Sequence, residues 1–529
     1  MLVFEIVIAL LFVGALLSIL ARRGKLPYPA LLALAGAGLA LVPDVPSVAL
    51  DPELALTLFV APVLLDAAFD SSPRDLRENW RQIAGLSLLA VGATVAVVAF
   101  VARALVPGLP WAAAIALGAI VAPPDAAAAT AVLKHLPLPR RLIVILEGES
   151  LFNDASALLI YRAAVATAIT GAFSGWTALG LLAASSLGSI LLGLVIARVV
   201  MLVLTRVSDP ATAVLLQFLS TFAVWILAER LHLSGIITVV VFGIAAARSA
   251  PARTPARVRV PTNAVWEVLV FVLNVLAFIL VGLQLGPILQ RLTDSQLASY
   301  LVAATAVCAA VILVRVAWVM LYDVAARWLR TRFDTSRGKP ARHPSTRAAV
   351  LVAWCGMRGT VTLAAALALP IGSATQPAFP ERDFILFSSY CVVLVTLVLQ
   401  GLTLTPLIRW LALDDDRMLE REVLLARRTA AEAGLAALTS ETIEGDGAWL
   451  RHRYQLRIRR LDETTASSAS THAARPDAAS TAHPTRQALE AERRAVHDLR
   501  ARGIIGDDAF HRIEEELDWA ELNADARLG

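Results

Sequence analysis

Charged residues are scarce in this sequence: 17% of its 529 residues are Asp, Glu, Lys or Arg, whereas 57% are hydrophobic. Soluble domains contain about 25% charged and roughly 45–50% apolar residues, so the composition excludes an ordinary water-soluble domain. The net charge of +4 gives no bulk electrostatic signal for nucleic-acid binding. Apolar runs of about 18 or more residues recur before residue 411, and each can cross a bilayer as a helix.

Cysteine is also rare, and the three cysteines lie inside apolar runs, where a free thiol behaves as a small hydrophobe: Cys308, Cys355 and Cys391. Neither a disulfide framework nor a zinc-ligand spacing is present, and no cofactor is predicted. The chain begins with an apolar run at Leu2 and lacks the basic segment and cleavage site of a secretory signal. We interpret this run as a retained first helix.

Hydropathy and helix breakers predict an all-α polytopic membrane protein with about thirteen transmembrane helices. The predicted spans are residues 2–20, 27–43, 52–69, 82–105, 110–133, 140–166, 177–205, 210–229, 233–248, 263–285, 296–323, 347–370 and 384–411. Basic residues concentrate in the loops that follow odd-numbered spans, whereas the other loops carry about one each. By the positive-inside rule, the N-terminus lies outside and the C-terminus in the cytoplasm.

Residues 412–529 have a different composition and are predicted to form a cytoplasmic C-terminal tail. Segments 416–438 and 487–522 mix charges with spaced apolar residues, which predicts amphipathic helices. Residues 464–486 are rich in Ser, Thr, Ala and Pro and predict a flexible linker. We interpret the whole as a solvated tail, with a regulatory or assembly role as the alternative.

The fifth span contains an acidic residue directly after two prolines. Pro123 and Pro124 lack an N–H, and Pro124 disfavours helical geometry at the residue before it, so the helix should break there. Asp125 follows near the middle of the bilayer, where an ionisable side chain is a functional hypothesis by default. Irregular backbone at this depth is tolerated only where it is buried in protein or lines a wet cavity.

The sixth span carries several polar residues near Asp154, which lies about midway along it. At 100° per residue, Glu147, Ser150 and Asp154 share one helix face, whereas Glu149 and Asn153 share another. We therefore expect Asp154 and Ser150 to face a cavity and Glu149 to face a buried cation.

The twelfth span supplies that cation, because Arg358 lies at its centre between Gly356 and Gly359, where we expect a second break. A buried charge is tolerated only when it is paired and hydrogen-bonded, so we predict a structural ion pair between Glu149 and Arg358. Arg315 and Glu267 are weaker candidates that either snorkel or pair structurally. Asp66, near the cytoplasmic end of the third span, is either a ligand beside a gate or an interfacial charge.

The two broken helices, the fifth and the twelfth, are seven spans apart. If spans 1–6 and 8–13 are repeats, the breaks occupy equivalent places, and the odd offset makes the repeats inverted. Such repeats, with two broken helices crossing near the midplane, are typical of secondary transporters.

At this point the sequence resembles the monovalent cation/proton antiporters, specifically the bacterial sodium/proton exchanger branch related to animal sodium/proton exchangers. The resemblance extends over essentially the whole membrane part and is carried by residues 61–68, 119–130, 147–154 and 356–361, while residues 271–285 resemble the family's tenth helix. It is most specific at the Glu-Ser-Leu-Phe-Asn-Asp string of residues 149–154, followed far downstream by Gly-Met-Arg-Gly at residues 356–359. It implies a homodimer, with a dimerisation part at about residues 1–80 and 177–285 and a mobile core at about 81–170 and 296–411.

The resemblance also implies roles for individual residues. Asp154 would carry Na+ and H+ alternately, Asn153 would be its partner, and Asp125 would be a second acidic group at the Na+. Asp66 matches an acidic residue near the ion pathway. One departure concerns the fifth helix, where many members have Thr-Asp-Pro and this chain has Pro124-Asp125-Ala126, which leaves the ion's ligands and selectivity open.

The function predicted from this pattern is exchange of Na+, with Li+ or K+ also open, for H+ across the cytoplasmic (inner) membrane. Hard cations prefer oxygen ligands, which Asp154, Asp125 and Ser150 provide. With Asn at position 153 instead of a second Asp, we expect an electroneutral one-to-one cycle. The alternatives are a cation channel, a potassium/proton antiporter that regulates pH and volume, and an intramembrane hydrolase, which is disfavoured because no His lies at membrane depth near Ser150.

Overall fold

A computed structural model describes residues 2–24, 26–43, 52–133, 138–171, 175–207, 209–333, 345–371, 378–413, 418–438, 446–466 and 482–525. All regular secondary structure in these ranges is helical. Seven of the described helices are long and apolar enough to cross a membrane, and three shorter apolar helices accompany them. The all-α fold predicted from hydropathy is therefore confirmed.

The described helices before the tail overlap the predicted spans, except for a short helix at Pro73–Glu78 between the third and fourth spans. Those before the tail are α1 (Leu2–Gly24), α2 (Tyr28–Ala40), α3 (Pro52–Ala55), α4 (Ala61–Asp70), α5 (Pro73–Glu78), α6 (Trp80–Ala84), α7 (Val91–Leu105), α8 (Trp111–Val121), α9 (Ala126–Leu133), α10 (Arg140–Thr170), α11 (Gly175–Leu204), α12 (Pro210–Arg230), α13 (Gly235–Arg253), α14 (Ala256–Leu283), α15 (Leu285–Leu289), α16 (Asp294–Phe333), α17 (Thr346–Trp354), α18 (Thr360–Leu367), α19 (Arg382–Val395) and α20 (Gly401–Leu411). Single π-helical turns lie at Leu56–Val60, Gly85–Ala90 and Thr396–Gln400.

The fifth and twelfth spans are each split in two. Helix α8 ends at Val121 and α9 begins at Ala126, so the interruption covers Pro123 and Pro124. Helix α17 ends at Trp354 and α18 begins at Thr360, so the second interruption covers Gly356, Arg358 and Gly359. Both breaks occur where the local sequence predicts them, because neither proline donates a helical hydrogen bond and glycine weakens a helix interior.

The membrane helices pack in two main groups. In one group α14 packs on α1, α2 and α12, while α13 packs on α4 and α11. Helices α2 and α14 approach very closely, because a Cβ atom on Gly36 would overlap the carbonyl oxygen of Ile279. In the other group α8 packs on α7 and α10, and α16 packs on α7 and α19. Helix α18, which follows the second break, packs on α8 and α19 and also contacts α14, so both breaks and α10 lie mainly in the second group.

The tail contains α21 (Met418–Ala437), α22 (Asp446–Ala466), α23 (Ala482–Ala501) and α24 (Asp507–Asp525). Helices α21, α23 and α24 share an apolar core that includes Val423, Phe510 and Leu517. The interpretation as a solvated tail is wrong, because α24 also packs on α14. The predicted linker is helical at 464–466 and 482–486, and the residues between these two stretches lie outside the described part of the chain.

Candidate ion-binding site

The two helix breaks contact each other directly. The backbone N–H of Asp125, in the first break, donates to the carbonyl oxygen of Met357 in the second, at 2.6 Å. A Cβ atom on Gly359 would overlap Oδ2 of Asp125, so the carboxylate occupies the space that any larger residue at position 359 would fill. Gly359 therefore leaves the space that the Asp125 side chain occupies, in addition to interrupting the helix.

Helix α10 brings the second carboxylate to the first break. Asp154 is buried in α10 and interacts electrostatically with Asp125. The neighbouring Asn153 is fully buried, and its Nδ2 donates to the carbonyl oxygen of Pro124 at 3.2 Å. Its Oδ1 accepts no hydrogen bond from the described residues. Two carboxylates and an available amide oxygen thus lie around the backbone of this break.

Arg358 is fully buried, and backbone carbonyls bind its guanidinium. Its Nε donates to the carbonyl of Val121 at 3.0 Å, and its Nη2 to that of Ala122 at 3.3 Å. Its Nη1 donates to the carbonyl of Gly356. The last carbonyls of a helix have no partner within the helix and carry partial negative charge, so the broken end of α8 is a natural site for a cation.

The predicted ion pair between Glu149 and Arg358 is wrong, because Glu149 pairs with Arg315 of α16. Arg315 Nη1 lies 2.5 Å from Glu149 Oε1 and Nη2 lies 3.0 Å from Oε2, a bidentate arrangement between two buried side chains. Arg315 Nη2 also donates to the carbonyls of Val352 and Cys355, near the end of α17. An arginine therefore binds the free carbonyls at the end of each broken helix: Arg358 at α8 and Arg315 at α17. Of the two, Arg315 is also paired with a carboxylate, that of Glu149.

Two other candidates lie at the edge of this arrangement. Ser150 is half-buried in α10, one turn before Asp154. Asp66 is half-buried in α4, a helix that contacts both α10 and α13. Asp66 therefore belongs to a helix that packs against α10, which carries Asp154.

Sequence reasoning missed two buried polar residues of the thirteenth span. The hydroxyl of Thr396 accepts a hydrogen bond from the backbone N–H of Arg358 at 3.0 Å, which fixes the second break against the π-helical turn. Gln400, one turn later, is buried, and neither of its amide atoms has a hydrogen-bond partner among the described residues. In the sequence, the one feature that could have identified Thr396 and Gln400 is that they are polar residues within an apolar span.

Two touching helix breaks beside the buried carboxylate of Asp154 are typical of secondary transporters, which bind their substrates at discontinuous helices. The family profile described as "Sodium/hydrogen exchanger, transmembrane" matches residues 7–410. The chain therefore belongs to the sodium/hydrogen exchanger family, whose members are transporters rather than enzymes.

Individual relatives agree with this assignment. An uncharacterized Na+/H+ exchanger of Mycobacterium tuberculosis is 34% identical, over 98% of this chain and 96% of the relative. A sodium, potassium, lithium and rubidium/H+ antiporter of Bacillus pumilus is 30% identical, over 78% of this chain and 63% of the relative. The sodium proton antiporter MjNhaP1 of Methanocaldococcus jannaschii shares the fold, with a TM-score of 0.61, 19% identity, and coverage of 78% of this chain and 99% of that one.

Proposed function

We propose that this protein exchanges Na+ for H+ at a site formed by Asp154 and Asp125. The observation that carries the proposal is the contact of Asp125 and Asn153 with the helix breaks, next to the buried Asp154 of α10, where Asn153 offers an available oxygen. Oxygen atoms of carboxylates, amides and free carbonyls are the ligands that hard cations prefer. Ser150, one turn before Asp154, and Asp66, in a helix that packs on α10, are the further oxygen ligands that this proposal includes.

Competition for one carboxylate couples the two fluxes. A buried carboxyl group without a cation holds its proton more tightly than one in water, because burial disfavours the charged form. A bound Na+ replaces that proton, so Asp154 carries one or the other across the membrane. Arg358 and the Glu149–Arg315 pair keep the breaks in place and do not carry the ion.

The wider arrangement follows from the same proposal. The first packing group, with α1, α2, α4 and α11–α14, forms the dimerisation part of a homodimer in the inner membrane. The second group forms the mobile core, and the two halves of the chain are inverted repeats whose broken helices cross. The N-terminus faces outward and the tail lies in the cytoplasm.

The ion specificity and the charge balance of the cycle are tested together in proteoliposomes that contain a pH-sensitive dye. We expect Na+ to drive proton efflux, and Li+ or K+ to do so in part, since the Bacillus pumilus relative is named for several alkali cations. With Asn153 beside one carrier carboxylate, one proton should move for each cation. An imposed membrane potential of either sign should therefore leave the rate unchanged.

A rate that follows the sign of the potential would contradict electroneutral exchange. Cation flux that leaves internal pH unchanged would instead support a channel. A response to K+ alone would identify a potassium/proton antiporter.

The Gly359→Ala variant tests whether Na+ binding depends on the position of the Asp125 carboxylate. The added methyl group overlaps the carboxylate and must displace it, so the KM for Na+ should rise at least about tenfold, equivalent to about 1.4 kcal/mol of binding. Gly92→Ala in α7 is the matched control, because its Cβ would meet nothing within 4 Å. An unchanged KM in Gly359→Ala would remove Asp125 from the Na+ site.

A further inference from the structure

The buried glutamine of the thirteenth span lies between two contacts with the second break. Gln400 is the last residue of the π-helical turn in this span. At the start of the turn, Thr396 Oγ1 accepts a hydrogen bond from the backbone N–H of Arg358 at 3.0 Å. Directly after the turn, Gly401 packs against Met357, because a Cβ atom on Gly401 would lie 3.6 Å from Met357 Sδ. Gln400 is thus flanked on both sides by residues that contact the second break.

The same part of the break also holds the backbone of Asp125. The carbonyl oxygen of Met357 accepts the N–H of Asp125 at 2.6 Å. Met357 therefore contacts the thirteenth span through its side chain and the first break through its carbonyl. Turns of π-helix are rare and are frequent at functional sites. Gln400 therefore neighbours the proposed ion site from the side opposite to α10.

The amide of Gln400 is buried without a partner in the protein. Its side chain is 1% exposed, and neither Oε1 nor Nε2 has a hydrogen-bond partner among the described residues. The side chains nearest to the Cα of the following Gly401 belong to Pro27, Ala30 and Met357, and none of them has a strong donor or acceptor. Buried polar groups of native proteins bond to ordered water or an ion when the chain offers nothing. The partner of this amide is therefore expected to come from outside the chain.

The chemistry of an amide distinguishes between a cation and a water molecule as this partner. A bare cation can bind Oε1, but it cannot satisfy Nε2, which only donates. Water can donate to Oε1 and accept from Nε2, and a buried water typically has about three hydrogen bonds. Hard cations commonly bind to proteins through carboxylates and waters together. Ordered water therefore satisfies both amide atoms and can bind a cation at the same time.

The sixth span has a comparable amide beside the first break. The Nδ2 atom of Asn153 donates to the carbonyl of Pro124 at 3.2 Å, while its Oδ1 has no partner in the described part of the chain. The sixth and thirteenth spans occupy equivalent places in the inverted repeats proposed above. Each break would thus have a buried amide with an unused oxygen on the span that follows it.

We propose that Gln400 is a positioning residue of the ion site, and that its amide binds ordered water that completes the coordination of the cation. This inference rests on the exchange function proposed above and adds a contribution from the thirteenth span. Gln400 does not touch the cation, because it acts through the water.

The Gln400→Met variant separates this role from that of a polar residue with no function. Methionine is unbranched and of similar length, and it packs well in apolar surroundings but does not hold water. Because no partner in the protein is left unpaired, the free energy of unfolding without Na+ should not fall. The KM for Na+ should rise at least about fivefold with little change in maximal rate, since an interaction with the bound cation is lost.

Two further variants complete the experiment. Gln400→Glu keeps oxygen atoms at the same distance from the backbone and should have a lower KM than Gln400→Met. Gln290→Met is the matched control, because it makes the same change at an exposed position directly after α15, and it should keep the wild-type KM. The Na+ concentration that stabilises the protein in detergent gives a second readout without transport, and Gln400→Met should raise it by the same factor as KM.

An unchanged KM and an unchanged Na+ dependence of stability in Gln400→Met would overturn the inference, as would a lower maximal rate at constant KM. A loss of stability without Na+ would also overturn it, because the amide would then have a partner within the protein. If wild type neither exchanges Na+ nor is stabilised by it, the proposed function fails. An active wild type with an unaffected Gln400→Met refutes only the role of Gln400.

Discussion

Asp154→Asn is expected to abolish cation-dependent proton efflux, reducing it to the level of protein-free liposomes. Asparagine keeps the size of the side chain but neither binds a proton in this pH range nor offers a negative charge to Na+. Both half-cycles are therefore lost together. The measurement is dequenching of a pH dye on addition of Na+, at equal protein content.

A binding experiment separates loss of the ion site from loss of the fold. Na+ that binds only the folded protein raises its stability by about 2.7 kcal/mol at a hundred times Kd, and Asp154→Asn should lose this increment while unfolding normally without Na+. Glu267→Gln, which changes an exposed carboxylate of α14, is the control and should keep both transport and Na+-dependent stability. Full transport by Asp154→Asn would remove Asp154 from the mechanism.

Among the single substitutions proposed here, Glu149→Gln is expected to lower the free energy of unfolding most. It leaves the Arg315 guanidinium buried without its bidentate partner, and breaking a buried pair from one side costs about 3–5 kcal/mol. Replacing both residues, with Glu149→Gln and Arg315→Met, should cost less than the sum of the single changes, because no charge is then left uncompensated. The free energy of unfolding in detergent measures each step.

Helix α10, which contains Glu149, also contains a control for this prediction. Arg162 pairs with Glu229 of α12 at 2.7 Å, but both side chains are more than a third exposed, so Arg162→Gln should cost only about 0–1 kcal/mol. A loss from Glu149→Gln as small as this one would show that the buried pair does not stabilise the fold. A loss from Arg358→Met that matches Glu149→Gln would show that capping by carbonyls is as important as the ion pair.

The helix breaks could be predicted because their causes are local. Two consecutive prolines end α8, and two glycines around Arg358 interrupt the twelfth span, whatever surrounds them. The acidic positions were predictable for a similar reason, since carboxylates in apolar spans are rare and costly.

The partner of Glu149 could not be predicted, because two buried arginines competed for one carboxylate. The choice depends on which arginine lies closer to the free carbonyls of α8, and that is a property of the packed structure. Docking of the tail was equally hidden. Its ion pairs join residues far apart in the sequence, such as Arg259 and Asp518, and each looks like an ordinary charge in its own segment.

The hydrogen bonds of Arg358 have a consequence for how the protein is made. They join residues 237 and 236 positions apart, since Arg358 binds the carbonyls of Val121 and Ala122. During synthesis α8 enters the membrane long before this arginine leaves the ribosome, and backbone carbonyls cannot stay unsatisfied in hydrocarbon. The first half of the chain contains both carboxylates of the proposed ion site, yet the backbone around them is complete only after translation has delivered residue 358.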